Sequence, residues 1–212
     1  MPDAGPIRTL LLDADGVIQR PRADWRDAWR SLLPEARRSD RDVEAFLRDV
    51  FVAEQPALEG KGEIGAAVAE VLARWGSHAA VERALLVWTQ IDVQHDVLRI
   101  VDALRGDGVA VHLATNQQAH RAAFMSEVLG YRQRFEREYY SCRIGAKKPS
   151  RAYFEHILAD LGCAPEGVGF VDDVAENVEA ARAAGIHAVQ HHLDAGLERF
   201  AERLREFGLR VR

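Results

Sequence analysis

The sequence predicts an α/β protein: a doubly wound parallel sheet with a block of helices inserted after its first strand. Three observations carry this. An apolar run, Ile7–Leu12, ends in two aspartates, Asp13 and Asp15, followed by Gly16. From residue 95 onward, short apolar runs alternate with segments of helical period, the pattern of a parallel sheet with helices on both faces. Between them, residues 18–94 show helical periodicity and no convincing strand between Asp24 and Gln94. The expected organisation is therefore a core of residues 1–17 and 95–212 and a helical unit of residues 18–94.

Taken in order, Ile7–Leu12 reads as a buried strand. Trp25, Ala28, Trp29 and Leu32 recur at helical spacing, as do Val43, Phe46, Leu47, Val50 and Phe51. Ser39 followed by Asp42 marks the start of the second of these helices. Further helices are expected over about 64–75 and 79–90, with Gly60-Lys61-Gly62-Glu63 as a loop. The alternating part then gives a helix near 96–104, a strand over 109–114, and helices near 119–129 and 151–161. A strand over 168–171, a helix over 175–184 ending at Gly185, a strand over 186–189 and a helix over 197–207 complete it.

The chain has 212 residues, 48% hydrophobic and 29% charged, the balance of a globular protein large enough to bury a substantial core. Its formal charge of −5 and the lack of a long basic stretch argue against a nucleic-acid partner. No apolar run is long enough to span a membrane. Two cysteines, Cys142 and Cys163, make no disulfide framework and have no metal-ligand spacing. The opening residues lack the charged and apolar regions of a signal peptide, so a cytoplasmic setting is the expectation. A monomer or small homo-oligomer is expected.

The candidate chemistry lies at the ends of the strands. Side chains two apart on a strand face the same way, so Asp13 and Asp15 point together beyond the sheet edge. Two carboxylates ~4 Å apart repel by about 4 kcal/mol at an effective dielectric of ~20. A cation, a proton or a function must relieve that. Two later strands also end in polar residues, Thr115-Asn116 and Asp172-Asp173, and in a parallel sheet all these ends share one edge, where ligands bind. The chain has only three lysines, and Lys148 precedes Pro149 in the loop before the helix that leads to the third of these strands. Four carboxylates, a hydroxyl, a carboxamide and an ammonium fit phosphoryl transfer. A carboxylate is the nucleophile, a hard cation such as Mg²⁺ neutralises the cluster, and lysine stabilises phosphoryl charge. The second aspartate can serve as general acid and base. That role needs a raised pKa, which neighbouring carboxylates favour and a metal opposes.

These motifs resemble those of the haloacid dehalogenase (HAD) superfamily, in the branch with a helical cap inserted after the first motif (subfamily I). Asp13-Ala14-Asp15-Gly16-Val17, Thr115-Asn116, Lys148-Pro149 and Phe170-Val171-Asp172-Asp173 match its four motifs, and Gly60-Lys61-Gly62-Glu63-Ile64 is similar to a cap loop. Glucose-1-phosphate phosphatases and the phosphatase domain of soluble epoxide hydrolases are the look-alikes. The resemblance implies a Rossmann-like core and a Mg²⁺-dependent phosphatase acting on a small phosphomonoester through an aspartyl-phosphate. It implies Asp13 as nucleophile and metal ligand, Asp15 as general acid/base with its carbonyl on the metal, and Thr115 and Asn116 as phosphoryl ligands. Lys148 would bridge nucleophile and phosphate. Asp173 would ligate the metal, with Asp172 beside it or acting through water. Val174 stands where many relatives have a small hydroxyl residue. Asp15 disfavours dehalogenation, which needs no acid for its leaving group. A phosphomutase, and a non-catalytic binding protein on the same scaffold, are the alternatives; a receiver domain would place its acid pair first and lack so long an insertion. Trp25 and Trp29 are read as core of the helical unit, with a place in the substrate pocket as the alternative. Lys61 is either a substrate contact or a solvated loop residue. His191-His192 is read as surface histidines.

Overall fold

A computed structural model describes residues 7–211. The strands are β1 (Thr9–Leu12), β2 (Gln19–Pro21), β3 (Ile91–Val93), β4 (Ala110–Thr115), β5 (Glu138–Tyr140), β6 (Val168–Asp172) and β7 (His187–Gln190). Five of them form one parallel sheet in the order β5-β4-β1-β6-β7. The chain winds outward from β1 through β4 to β5, returns across β1 to β6, and continues to β7. The order therefore reverses at β1, and the crevice at a reversal lies beyond the strands' C-terminal ends. Leu10, Leu11 and Leu12 are fully buried, because a central strand covered on both faces needs an apolar run rather than alternation.

Four helices fill the insertion: α1 (Trp25–Ser31), α2 (Asp40–Glu54), α3 (Ile64–Arg74) and α4 (Val81–Trp88). Their apolar stripes close on a hydrophobic cluster of their own, built on Trp29, Phe46, Val50, Val68, Val71 and Trp88. The Ser39 hydroxyl caps α2 by accepting from the Asp42 N–H at 3.2 Å. The rest of the helices cover the parallel sheet: α5 (His95–Gly106), α6 (Ala119–Ala123), α7 (Tyr131–Arg134), α8 (Ser141–Ile144), α9 (Arg151–Leu161), α10 (Ala175–Ala183) and α11 (Leu197–Glu206). No described helix is long and apolar enough to cross a membrane.

Three features depart from the sequence reading. The stretch up to Gln94 does hold a strand, β3, which pairs antiparallel with β2 and joins the two chain crossings into and out of the helical insertion. The sheet has an edge strand, β5, that no apolar run announces. The helix expected over 119–129 is α6 followed by a π-helical turn, Phe124–Val128.

The insertion touches the core at several points. Arg121 donates its Nε–H to the Trp88 carbonyl at 2.9 Å, and Lys147 reaches Gln55 at 2.6 Å. Gly60, at φ +71°, lies against the backbone of α8: a Cβ there would stand 2.5 Å from the Cys142 carbonyl oxygen, so this turn admits only glycine.

One buried strand residue carries a stability prediction. His112 on β4 is buried, and neither ring nitrogen has a hydrogen-bond partner among the described residues. Burial pushes its pKa below the ordinary histidine value. The unfolded chain then takes up the proton first, so stability is lost as pH falls below the free-histidine range. The denaturation midpoint of the wild type should drop more steeply between pH 7 and pH 5 than that of His112→Leu. Parallel curves would assign the acid sensitivity elsewhere.

Candidate active site

Asp13 is the first residue past β1 and donates its N–H to the Val171 carbonyl at 2.9 Å, which extends the ladder with β6 by one residue. Its carboxylate therefore leaves the sheet beside Asp172, the last residue of β6. Lys148 stands between the two, its Nζ 2.9 Å from Asp13 Oδ1 and 2.6 Å from Asp172 Oδ2. All three side chains are buried. Burial pushes the Asp13 pKa up to about 7; Lys148 opposes this and the Asp172 charge adds to it. Burial alone would depress the Lys148 ammonium. The charges of Asp13 and Asp172 and the hydrogen bonds to both outweigh it, and its pKa lies above the ordinary value.

Asn116 holds that lysine in place. Its Nδ2 donates to the Lys148 carbonyl and its Oδ1 accepts from the Lys148 N–H, each at 2.9 Å. Only this amide orientation satisfies both groups. The carboxamide expected among the phosphoryl ligands is thus taken up by the backbone of Lys148. Thr115, the last residue of β4, is buried with its hydroxyl accepting from Gln117 Nε2 at 3.1 Å.

Asp172 is saturated. Its Oδ1 accepts from the Val174 N–H at 2.8 Å and from Asn177 at 3.0 Å, while Oδ2 takes Lys148 and a second Asn177 contact at 3.1 Å. The hydroxyl that Val174 lacks is not needed to anchor this carboxylate, because the backbone N–H and Asn177 do so. Asp173 is less buried, and burial together with the neighbouring Asp172 charge raises its pKa. Its carboxylate rests against Gly16, which has φ +77°; a Cβ at residue 16 would overlap it. Gly16→Ala should therefore displace Asp173 as well as strain the turn, lowering stability by ~1–2 kcal/mol from the backbone alone. Thermal denaturation reads this directly, and an unchanged midpoint would count against it.

Asp13, Asp172 and Asp173 each offer a carboxylate oxygen within 4.8 Å of the others. The donors are all hard oxygens and the negative charge exceeds what one lysine neutralises. The raised pKa values of Asp13 and Asp173 come first from burial, with the Asp172 charge adding to both. Such a set suits Mg²⁺.

Asp15 faces the insertion, in an unexpected environment. Arg121 grips it as a fork, Nη1 at 2.5 Å from Oδ2 and Nη2 at 2.8 Å from Oδ1. Gln117 and Gln19 donate at 2.8 and 3.1 Å. Burial alone would raise this pKa, but the Arg121 charge and these hydrogen bonds outweigh it and hold the carboxyl below its ordinary value. Among the protein's own groups, the neighbouring carboxylates weighed from sequence do not decide it. The deciding cation is an arginine on α6, 106 residues away in sequence.

Other expectations resolve individually. Trp29 is buried in the insertion's cluster, Trp25 packs against that cluster, and both also border a cavity facing Asp15. Lys61 pairs with Glu59 at 2.7 Å on the exposed loop. His192 is exposed as expected, whereas His191 is buried against Phe200, ring centroids 5.2 Å apart, with its pKa lowered by burial to about 4.

The fold and these side chains define a class: a doubly wound α/β protein with a carboxylate–lysine centre at the strand-order reversal. The chain belongs to the haloacid dehalogenase-like hydrolases, whose family model matches residues 7–185. Its fold is similar to that of a HAD-like family hydrolase from Porphyromonas gingivalis (TM-score 0.76, 20% identity, 94% of this chain and 98% of that one). It is also similar to a HAD family enzyme from Bacteroides thetaiotaomicron in complex with magnesium and inorganic phosphate (TM-score 0.71, 19% identity, 87% and 93%). In sequence, a segment of 83 residues is 35% identical to a sesquiterpene phosphatase from Aspergillus oryzae, covering 39% of this chain and 42% of the relative. The chain spans less than half the length of the curated relatives it matches.

Proposed function

We propose that this chain is a Mg²⁺-dependent phosphatase that hydrolyses a small phosphomonoester through an aspartyl-phosphate on Asp13. One observation carries the reading. The Asp13 carboxylate spends only Oδ1 on Lys148 and the Ala14 N–H, at 2.9 and 2.7 Å, so Oδ2 has no partner among the described residues. A buried carboxylate with one oxygen fixed and the other available is an oriented nucleophile. The phosphatase name of one relative and the magnesium and phosphate bound in one structural neighbour support the same class.

In this mechanism Asp13 Oδ2 attacks phosphorus as the ester oxygen leaves. Lys148 holds the nucleophile and stabilises charge on the phosphoryl oxygens, and the Thr115 hydroxyl donates to one of them. Asn116 acts indirectly, by fixing Lys148. Asp15 gives its proton to the leaving alcohol and takes one from the water that cleaves the acyl-phosphate. The Arg121 fork keeps Asp15 ionised, the form needed for the second step, so the first step requires that fork to loosen. Arg121 is also bonded to the Trp88 carbonyl, so loosening it is linked to movement of the insertion over the site. Mg²⁺, held by Asp13 and Asp173 with the Asp15 carbonyl and with Asp172 alongside, would neutralise the carboxylates and the phosphoryl group.

Phosphate release from para-nitrophenyl phosphate, with Mg²⁺ and with EDTA, tests this. Release should fall at least ~100-fold in EDTA and return with Mg²⁺. Release indifferent to the chelator, or none from folded protein, overturns the reading.

A further inference from the structure

We infer that the alcohol part of the substrate is an apolar skeleton, seated in the cavity between the helical insertion and the sheet edge; this rests on the phosphatase reading above. The cavity has a volume of about 480 Å³, within the range of small-molecule sites. Trp25, Trp29, Phe51, Leu58, Val87 and Trp88 form its apolar walls, and Asp15 borders it, so it begins where the leaving oxygen would be protonated.

Phe51 is the telling residue. It lies on the apolar stripe of α2, yet it is 40% exposed while Phe46, Leu47 and Val50 on the same stripe are 5% exposed or less. Its ring faces Trp25, with centroids 6.4 Å apart, and borders the empty space instead of the cluster. Exposed aromatic surface inside a concavity beside a reactive centre is surface kept for an apolar ligand.

The polar groups of the cavity are already occupied. Arg121 uses four of its five N–H groups on Asp15, Gln117 and the Trp88 carbonyl. The Gln117 amide serves Asp15, Thr115 and Arg121, and the Asn116 amide serves Lys148. Glu54, the Gln90 amide and the indole N–H groups of Trp25, Trp29 and Trp88 remain, single polar groups set among apolar walls. A sugar would bring several hydroxyls, and each one buried without a partner costs roughly 10- to 100-fold in affinity.

The test compares kcat/KM for n-alkyl phosphates from ethyl to decyl with that for glucose 1-phosphate and glycerol 3-phosphate. Calorimetric binding of alkylphosphonates of the same lengths runs in parallel. Both kcat/KM and affinity should rise about fourfold per buried methylene until the cavity is full, and the sugar phosphate should fall below hexyl phosphate. Phe51→Gln should lower the octyl-to-ethyl ratio about tenfold. Choline phosphate and 3,3-dimethylbutyl phosphate share a shape and differ in charge. The neutral ester should be preferred, and preference for choline phosphate would make this an aromatic cage for cations and overturn the inference. Turnover with no dependence on chain length in either assay overturns the inference and leaves the phosphatase reading standing. Chain-length-dependent phosphonate binding without turnover of any ester overturns the phosphatase reading, and with it the substrate assignment, and leaves only an apolar binding cavity.

Discussion

Asp13→Asn is expected to lower kcat/KM by at least ~10⁴-fold while the protein stays folded. The amide keeps the shape of the carboxylate and an oxygen able to accept from the Ala14 N–H, but supplies no charged oxygen for attack on phosphorus. The fold should tolerate the change because Lys148 is not stranded: Asp172 still holds it at 2.6 Å. Removing a carboxylate that burial already pushes up to about 7 also removes a desolvation cost. The thermal midpoint should thus move by a few degrees at most. Acid quenching during turnover of a ³²P-labelled ester should leave a hydroxylamine-labile label on wild-type Asp13 and none on the variant. A variant that keeps wild-type turnover would remove Asp13 from the chemistry.

The parts of this centre that could be read from sequence are those fixed by strand ends. β1, β4 and β6 are largely apolar segments of four to six residues, and the residue ending or following each is one of the site's polar groups; β7 is legible from the apolar run over residues 186–189 that overlaps it. Once the alternating pattern assigned them to one parallel sheet, Asp13, Thr115 and Asp172 had to share an edge. The strands that escaped, β2, β3 and β5, are three residues each, too short to show a period. Arg121 escaped for a different reason. It is one arginine among many, in a five-residue helix, and nothing local marks it as the partner of Asp15. Only the packing of α6 beside the β1 turn creates that fork, and with it the depressed pKa of Asp15. Likewise, His191 is buried because Phe200 on α11 packs over it, a long-range event with no trace in the His191-His192 pair.

Lys148→Met is expected to damage stability and rate together, unlike Asp13→Asn. Lys148 is the buried cation between Asp13 and Asp172, and methionine fills much of its volume without its charge. Removing one member of a buried ionic cluster leaves the others uncompensated, at a cost of roughly 3–5 kcal/mol. Protonation limits that cost, which sets its pH dependence. Asp13 already has a folded-state pKa raised to about 7. Loss of Lys148 removes the group that opposed this rise, so the folded state holds its proton more firmly. A carboxyl whose folded pKa lies above its unfolded value contributes stability at low pH that is lost as pH rises through the folded pKa. In EDTA the variant should therefore approach wild-type stability near pH 5 and fall furthest behind above pH 7, and Mg²⁺ should restore more stability to it than to the wild type. Turnover should still drop ~10²–10³-fold with Mg²⁺ present, in kcat more than in KM, because the ammonium that stabilises phosphoryl charge is gone. An effect confined to KM would make Lys148 a binding group, and a stability deficit equal at pH 5 and pH 8 would mean that the carboxylates do not answer to it.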